Sequence, residues 1–257
     1  MREPAASELL SSRERVAVVV PAFDEAATIA EVIEPVLACA LPGDGARLFD
    51  EVVVVSDGST DGTAEIARRL GASVHELPSN GGKAAALACG VASTSAPVIL
   101  FLDADLTGFD TGVFRRLVRP VVAGRAAMVV GIRDRGPFIT GLHTRQHGPL
   151  LSGVRCLRRE VFEAVPEAFV RGFRIETALN WTCRRLGGVL LTTPLHGIRH
   201  RIKEQKRGLL RGFTGRLVMF SSVFWAFLLL QLRRPTLEPA TRVGKAAAGL
   251  RPGRALP

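Results

Sequence analysis

The chain has 257 residues, of which 34 are Lys or Arg and 24 are Asp or Glu, so its formal net charge is +10. Residues 1–200 contain 22 basic and 22 acidic side chains, whereas residues 201–257 contain 12 basic and only two acidic ones. This distribution argues against a protein that coats nucleic acid with its whole surface and favours a neutral body with a cationic C-terminal segment.

Residues 1–15 form an N-terminal extension with three glutamates and no apolar run, which does not fit a signal peptide. After it, apolar runs alternate with segments of helical periodicity. The predicted strands are residues 16–20, 52–55, 72–76, 97–102 and 127–132, and the predicted helices are residues 25–38, 62–70, 81–91 and 110–122. This alternation predicts an α/β domain with a mostly parallel sheet flanked by helices.

The second half of the chain has a less regular pattern. Residues 133–150 are rich in glycine and arginine and predict an irregular segment. We expect a helix over residues 175–186, a strand over 188–192, a basic loop over 193–207 and an apolar helix over 208–232. The predicted boundaries are therefore a domain over residues 16–207, a C-terminal helix within 208–234 and a disordered basic tail over 235–257.

Acidic residues follow three of the predicted strands at the point where each strand ends. Glu25 follows the first strand, Asp57 the second, and Asp103 and Asp105 follow the fourth. In parallel sheets ligands bind beyond the carboxyl ends of the strands, so these acids are expected to lie on one edge of the sheet.

Asp103-Ala104-Asp105 places two carboxylates on either side of one small residue. Two carboxylates this close repel each other unless a cation or hydrogen-bond donors compensate. A hard divalent ion bridging to a diphosphate would satisfy both kinds of charge. The alternative is a solvated acidic loop, because the bare pattern is weak evidence.

The other polar residues at this edge each allow two interpretations. Asp57 could accept a hydrogen bond from the imide of a base, or its Asp-Gly pair could serve a turn. Glu25 could simply favour a helix N-terminus. Gly82-Lys83 at a helix start could hold an anion. No Walker A sequence and no G-x-G-x-x-G after the first strand is present, which counts against those nucleotide folds.

Taken together, these segments resemble family-2 glycosyltransferases. The resemblance is carried by Val-Val-Val-Pro-Ala-Phe-Asp-Glu, Val-Val-Ser-Asp-Gly-Ser-Thr-Asp-Gly-Thr, Gly-Gly-Lys and Phe-Leu-Asp-Ala-Asp, at residues 18–25, 54–63, 81–83 and 101–105. It implies a GT-A type nucleotide-diphospho-sugar domain with Mg²⁺ or Mn²⁺ as cofactor. The implied donor-binding residues are Pro21, Ala22, Phe23 and Glu25 at the nucleoside, Asp57 at the base, Lys83 near the diphosphate, Asp103 and Ala104 near the ribose, and Asp105 on the metal.

Later segments are similar to polyprenyl-phosphate sugar transferases and to glucosyl-3-phosphoglycerate synthases. Residues 148–160 resemble the acceptor side of both, which implies acceptor contacts from Ser152, Gly153, Arg155 and Arg158. Gly172-Phe173-Arg174-Ile175-Glu176 implies an acceptor-side catalytic carboxylate at Glu176. Residues 195–201 look most like the synthases and imply His200 as a metal ligand. Neither the synthases' glycine-rich acceptor loop nor the transferases' two-helix membrane anchor is recognisable.

Residues 217–232 form the most apolar stretch, flanked by arginines. As a helix this stretch would be about 24 Å long, short of the roughly 30 Å hydrocarbon core of a bilayer. A helix docked on the domain, an interfacial helix and a spanning helix all remain open. The basic residues over 201–234 could contact an anionic membrane.

These observations predict a metal-dependent glycosyltransferase that uses a UDP- or GDP-linked sugar, with Asp105 and Glu176 in catalytic roles. Four dispersed cysteines without a C-x-x-C pair favour a cytoplasmic location, with peripheral membrane contact left open. A homodimer and the identity of the acceptor are also left open; a phosphorylated or lipid-phosphate acceptor and a small soluble one are the alternatives. The competing hypotheses are a nucleotidylyltransferase and a non-catalytic nucleotide- or membrane-binding module, whereas nucleic-acid binding is disfavoured.

Overall fold

The computed structural model describes residues 14–40, 45–133, 152–170, 172 and 174–200. The strands are β1 Val16–Ala22, β2 Glu51–Asp57, β3 Ser73–Leu77, β4 Val98–Phe101, β5 Leu106–Thr107, β6 Met128–Arg133, β7 Arg155–Arg158, β8 Leu190–Leu195 and β9 Arg199–His200. The helices are α1 Ile29–Leu37, α2 Thr63–Arg69, α3 Lys83–Ala92, α4 Thr111–Val122, α5 Arg159–Glu163 and α6 Arg174–Arg185, with a 3₁₀ turn at Glu167–Phe169.

The central sheet has the strand order β3-β2-β1-β4-β7-β6-β8. Strands β3, β2, β1 and β4 are parallel to one another, and β8 is parallel to β6, whereas β7 runs antiparallel to both β4 and β6. The predicted mostly parallel sheet is therefore confirmed. Strand β7 was not predicted, because its sequence Arg-Cys-Leu-Arg is too short and too charged to show an apolar run.

Strand β1 is buried on both faces, as its continuous valine run predicts. Val18 and Val20 pack with α1 and α4, whereas Val19 packs on the opposite face with α3. Helix α3 approaches this face closely at Gly90, where a Cβ atom would lie 2.3 Å from a methyl carbon of Val19. This close packing fixes α3, and with it Lys83 at the start of the helix.

A second, two-stranded sheet joins β5 to β9. It pairs Leu106 with His200 and Thr107 with Arg199 in antiparallel register. At Gly108 the backbone has φ +88°, and a Cβ there would lie 2.6 Å from the carbonyl oxygen of Gly197. The absence of a side chain at Gly108 thus lets the two segments approach, and brings the chain after Asp105 beside His200.

Several predicted boundaries were wrong. The first helix begins at Ile29 rather than 25, because residues 23–26 are held by the loop that follows β2. The predicted loop over 193–207 contains the end of β8 and the whole of β9 within its described part. The predicted N-terminal extension, the irregular segment over 133–150 and the C-terminal helix and tail lie largely or wholly outside the described residues.

Two further sequence predictions concern the state of the cysteines and the possibility of a membrane-spanning helix. All four cysteines are free thiols, and three of them are buried: Cys39, Cys156 and Cys183. Burial raises the pKa of each of these three thiols. Within the described part of the chain, no helix is both long and apolar enough to cross a bilayer.

Candidate active site

Asp57 ends β2 and is almost completely buried. Its two carboxylate oxygens accept hydrogen bonds from the backbone N–H groups of Gly81 at 2.7 Å and Gly82 at 2.8 Å. Gly82 is the residue immediately before α3 and has φ +84°. Asp57 therefore fixes the glycine loop at the carboxyl end of the sheet and sets the direction in which α3 begins.

Lys83, the first residue of α3, lies between two carboxylates from other parts of the chain. Its ammonium nitrogen is 2.6 Å from Oδ1 of Asp103, which follows β4, and 3.0 Å from Oε1 of Glu176, in the first turn of α6. The side chains of Lys83, Asp103 and Glu176 are 25%, 26% and 9% exposed. We call these three residues the lysine–carboxylate cluster.

The charge of Lys83 is stabilised by this arrangement. Burial by itself lowers the pKa of Lys83, but the two carboxylates and their hydrogen bonds outweigh it, so the pKa lies above its ordinary value. Because a raised lysine pKa keeps the ammonium charged at neutral pH, one cation is shared by two anions. The nearby buried guanidinium of Arg155 supplies a second positive charge that acts on the same two carboxylates.

Gly153 closes the cluster on one side. A Cβ atom at this position would lie 2.2 Å from Nζ of Lys83 and 2.2 Å from Oδ1 of Asp103. No side chain fits in that space, so the backbone of Gly153 rests directly on the ion pair. The neighbouring Ser152 hydroxyl donates a hydrogen bond to the carbonyl oxygen of Gly131 in β6.

Arg155 occupies a different position from the one that the sequence predicted. Its side chain is fully buried, and Nε donates to the carbonyl oxygen of Ser152 at 3.1 Å. Nη1 donates to the carbonyl oxygen of Glu176 at 3.2 Å and to Oδ1 of Asn180 at 3.3 Å. Burial lowers the pKa of Arg155, and the nearby carboxylates of Glu176 and Asp103 act in the opposite direction.

The prediction that Arg155 clamps an acceptor stays a prediction, and the hydrogen bonds of this side chain argue against it. Its donors are turned to protein carbonyls inside the core rather than to the open edge of the sheet. The guanidinium links the Ser152-Gly153 backbone to the first turn of α6. Gly153 and Glu176 lie on those two segments, so the hydrogen bonds of Arg155 fix the position of one relative to the other.

Arg158 was also predicted to bind the acceptor, and the strand register argues against this role. In the pairing of β7 with β4, Arg155 lies opposite Phe101 and Arg158 lies opposite Val98. Arg158 is thus about 10 Å farther along the strand, toward the amino end of β4. There it forms a two-pronged ion pair with Glu14, at 2.5 and 3.0 Å.

The backbone segments that carry Asp105 and His200 lie side by side in the small sheet. Asp105 precedes β5 directly and is half-buried, and the next residue, Leu106, pairs with the backbone of His200. A carboxylate and an imidazole are ligands that Mn²⁺ accepts, and Mg²⁺ prefers the carboxylate. The register therefore fits a metal held by these two residues. The described side chains alone contain no group of three or more candidate ligands, so the metal site stays a prediction.

The four residues predicted to contact the nucleoside lie at the end of β1 and in the loop that follows it. Pro21 and Ala22 complete β1, and Phe23 is exposed beyond it. Asp24 has φ +51°, an uncommon conformation for a residue other than glycine. The loop is held by the segment after β2, since the N–H groups of Asp24 and Glu25 donate to Ser59 Oγ at 3.1 Å and Thr63 Oγ1 at 2.9 Å.

The sequence analysis missed several residues that shape this edge of the sheet. Ser59, Asp61 and Thr63 bind the loop after β1, and Asn180 binds Arg155. The side-chain oxygens of the Ser-Thr-Asp-Gly-Thr run were the available signal for the first three, because such residues accept hydrogen bonds from nearby backbone. Asn180 lies four residues after Glu176, on the same face of α6, and that spacing was the available signal.

The sequence also matches a known family across more than half of its length. The glycosyl transferase family 2 pattern covers residues 17–177. The chain belongs to glycosyl transferase family 2. The predicted resemblance is confirmed, and the matched region contains every member of the lysine–carboxylate cluster.

Characterised relatives share part of this family-2 chain. A glucosyl-3-phosphoglycerate synthase from Mycobacterium tuberculosis is 35% identical over 130 residues, which cover 48% of this chain and 39% of that protein. The glycosyltransferase AglJ from Haloferax volcanii is 30% identical over 190 residues, covering 67% of this chain and 59% of AglJ. The matched segments thus span well under two thirds of the length of these relatives.

Solved structures of a similar protein have the same architecture. The Mycobacterium tuberculosis synthase, solved with Mn²⁺, UDP-glucose and phosphoglyceric acid, has a TM-score of 0.68 and 26% identity, with 88% of this chain and 85% of that chain covered. The same synthase with Mg²⁺ and UDP has a TM-score of 0.67 and 27% identity, covering 88% and 84%. The predicted GT-A fold is therefore confirmed.

Proposed function

We propose that this family-2 protein transfers a sugar from a nucleotide-diphospho-sugar to a phosphorylated acceptor, with Mg²⁺ or Mn²⁺ as cofactor. The observation that carries the proposal is the lysine–carboxylate cluster at the carboxyl ends of β2 and β4, closed by Gly153. This is the edge of a parallel sheet where ligands bind. The similar synthase structures, which hold UDP-glucose, Mn²⁺ and phosphoglyceric acid, support the same assignment.

The donor would occupy the edge formed by the β1 loop and the Asp57–Gly81 contact. Pro21, Ala22, Phe23 and Glu25 would surround the nucleoside. Each oxygen of Asp57 accepts one backbone hydrogen bond, and a carboxylate oxygen can accept more than one, so an imide N–H of a base can still be bound. Asp103 and Ala104 would lie by the ribose.

The metal would be held by Asp105 and His200. When bound to the diphosphate, a divalent ion neutralises the charge that develops on the leaving nucleotide. The chain's own contribution is positional: the β5–β9 pairing keeps the two ligand-bearing segments side by side. Lys83 adds a fixed positive charge close to the same edge.

Glu176 is the carboxylate best placed to act on the acceptor. Its Oε1 is held at 3.0 Å by Lys83, and its backbone carbonyl is held by Arg155, so the side chain has a fixed orientation. From there it would orient an acceptor hydroxyl or take its proton. If a phosphate oxygen of the acceptor is the nucleophile, that oxygen is already anionic and Glu176 would only position it. Ser152 and Gly153 would contact the acceptor through their backbone.

A donor screen and one substitution test this function. Nucleotide-sugars with Mg²⁺ or Mn²⁺ are expected to raise the melting temperature, because a ligand that binds only the folded protein stabilises it. Asp105→Ala should abolish the metal-dependent shift and the transfer of labelled sugar. Glu65→Gln, which removes an exposed carboxylate on α2, should leave both unchanged. Full metal-dependent transfer by Asp105→Ala would overturn the proposal.

The proposal has two forms, which differ in the kind of acceptor, and a second assay distinguishes them. The likeness to synthases solved with phosphoglyceric acid favours a small phosphorylated acceptor, and the basic residues after 200 favour a lipid phosphate. Transfer to phosphoglyceric acid in solution supports the first form, whereas transfer only to a polyprenyl phosphate in detergent supports the second. Transfer to neither class, with donor binding intact, would refute a phosphorylated acceptor.

We further propose that residues 201–234 place the protein on the cytoplasmic face of the membrane as a peripheral protein. The support is the charge distribution, since residues 201–257 hold the whole excess of basic side chains. Sedimentation with vesicles of phosphatidylglycerol and phosphatidylcholine tests it. Pelleting with the anionic vesicles that disappears in high salt is expected, and no pelleting at low salt would refute it.

A further inference from the structure

A basic groove lies away from the lysine–carboxylate cluster, between α4 and the edge strand β8. It encloses about 380 Å³. Its polar lining residues are Arg115, Arg116, Arg119, Arg125, Thr192 and Thr193. We call this feature the arginine groove. None of its residues was predicted to bind a ligand, and the donor and acceptor roles above do not use it.

Within the described part of the chain, the four arginines of the groove lack carboxylate partners. Other described arginines, such as Arg15, Arg68 and Arg158, form ion pairs, but no ion pair joins a groove arginine to a described carboxylate. Arg115 donates from Nη2 to the carbonyl oxygen of Ala40 at 3.1 Å, and its Nε is buried without a hydrogen-bond partner. Four positive charges around one hollow repel each other, and a bound anion would relieve that repulsion.

The position of the groove separates it from sugar transfer. The lysine–carboxylate cluster lies at the carboxyl ends of β2 and β4, whereas the groove lies under β6 and β8, the last two strands at one side of the sheet. Val129, near the start of β6, forms part of its floor and pairs with Leu191. Arg119 and Arg125 come from the end of α4 and the turn after it. A ligand in the groove would therefore not be the reacting donor.

We propose that the arginine groove binds a phosphate-bearing anion. Guanidinium groups form two parallel hydrogen bonds to phosphate oxygens, and Thr193, which lies on the α4 face of β8 together with Leu195, offers a further hydroxyl donor. Arg116, Arg119 and Arg125 are exposed and can rearrange around such an anion. The same chemistry is found on a free phosphorylated metabolite and on the headgroup of an anionic lipid, and the two sources differ in how they are delivered.

Calorimetry with pyrophosphate tests the proposal on the full chain, with EDTA present so that no metal joins the probe to the donor edge. Arg116→Gln/Arg119→Gln should weaken binding at least about tenfold, since each charge-assisted bond contributes more than a neutral one. The matched control Arg68→Gln/Arg69→Gln removes two helical arginines of α2 and should bind as the unaltered protein does. Thr193→Val, which changes no charge, should weaken binding about threefold.

A parallel measurement with phosphatidylglycerol vesicles identifies the source of the phosphate. Pyrophosphate binding that depends on the groove arginines supports a free ligand. Vesicle binding that falls about tenfold in the groove variant but not in the control, without pyrophosphate binding, supports a lipid headgroup. Equal loss in the groove and control variants, or no binding of either probe by the unaltered protein, would overturn the proposal. Donor binding and sugar transfer are expected to survive in the groove variant, so this result is independent of the proposed function.

Discussion

The carboxyl and amino ends of the central sheet both carry ion pairs, but the pairs differ in burial and in how many elements they join. At the carboxyl end, Lys83 contacts carboxylates from two other segments, and all three side chains are at least about three-quarters buried. At the amino end, Arg15 pairs with Glu51 and Arg158 with Glu14, in pairs that are more exposed. Exposed pairs contribute about 0–1 kcal/mol, whereas breaking a buried one is costly.

The more deeply buried charges thus lie at the carboxyl end of the sheet. The carboxyl-end cluster needs α3, the β4 loop, β7 and α6 to be in register at once, while each amino-end pair ties down one strand end. We therefore expect substitutions at the carboxyl end to change catalysis strongly, and substitutions at the amino end to change stability slightly. The following predictions test that contrast in order of decreasing effect.

Lys83→Met should lower kcat for sugar transfer by about 10²- to 10³-fold, because the substitution removes a fixed positive charge beside the proposed diphosphate site. Steady-state transfer assays measure the effect, and circular dichroism confirms folding. Arg69→Met, which removes an exposed ion-pair partner of Glu65, serves as the control. A Lys83→Met enzyme with more than half of the original kcat would show that the cluster is only structural.

Gly153→Ala should lower kcat/KM by about 10- to 100-fold, because a Cβ 2.2 Å from the Lys83 and Asp103 head groups must push them apart. Gly112→Ala, whose Cβ would meet Asp110 at 3.1 Å and none of the cluster, controls for adding a methyl group. Parallel transfer assays compare the two. If Gly153→Ala and Gly112→Ala retain equal activity, the close contact at Gly153 has no catalytic consequence.

Arg155→Met should lower the free energy of unfolding by about 3 kcal/mol, because it leaves buried carbonyl oxygens of Ser152 and Glu176 without their donor. Urea denaturation at neutral pH measures the change. Arg155→Lys should recover less than half of it, since an ammonium cannot reproduce the planar fork. A loss below about 1 kcal/mol for Arg155→Met would refute the bracing role.

Asp61→Ala should lower the free energy of unfolding by about 1 kcal/mol at pH 7. Burial raises the pKa of Asp61, but hydrogen bonds from Thr63 and from the N–H of Ala26 outweigh it, so the pKa is lowered. A lowered pKa means that the stabilisation is present above the unfolded pKa, near 3.9, and is lost as the pH falls through the folded value. Urea denaturation over a series of pH values should show the full difference between the variant and the unaltered protein at pH 7 and a smaller one as the pH falls below about 4.

Arg158→Met should have the smallest effect, with unchanged kcat and acceptor KM and a loss of at most about 1 kcal/mol in stability. Its pair with Glu14 is partly exposed and lies at the end of the sheet remote from the cluster. Transfer assays at varied acceptor concentration measure this. A rise of about tenfold in acceptor KM would restore the acceptor-binding role that the strand register argues against.

The strand ends were predictable because their chemistry is local. Buried parallel strands are continuous apolar runs, and the polar residue that follows each run marks its carboxyl end, so the sequence pattern suffices to place Asp57 and Asp103 on one edge. The GT-A fold followed from the same alternation and from the joint resemblance of four motifs. These features depend on spacing within about 30 residues, which sequence patterns record well.

The second half resisted prediction because its contacts are between distant segments. Strand β7 is four residues long and lies antiparallel between β4 and β6, and its apolar content gave no sign of this. Because β7 runs antiparallel to β4, the first residue of β7 lies at the carboxyl end of β4 and the last residue lies at its amino end. Arg155 and Arg158, three residues apart, therefore lie toward different ends of β4, which argues against a shared acceptor role.

The sequence alone determined that this chain forms a parallel α/β sheet with acids along its carboxyl edge, since periodicity and strand-end chemistry are written locally. Only the tertiary structure decided how those charges are paired. Lys83 and Glu176 are 93 residues apart in the chain yet share a hydrogen bond, and Gly153 closes over them because packing of α3 and β7 leaves no room for a side chain. The arginine groove is likewise a product of packing, because it draws residues from α4, the turn after it and β8.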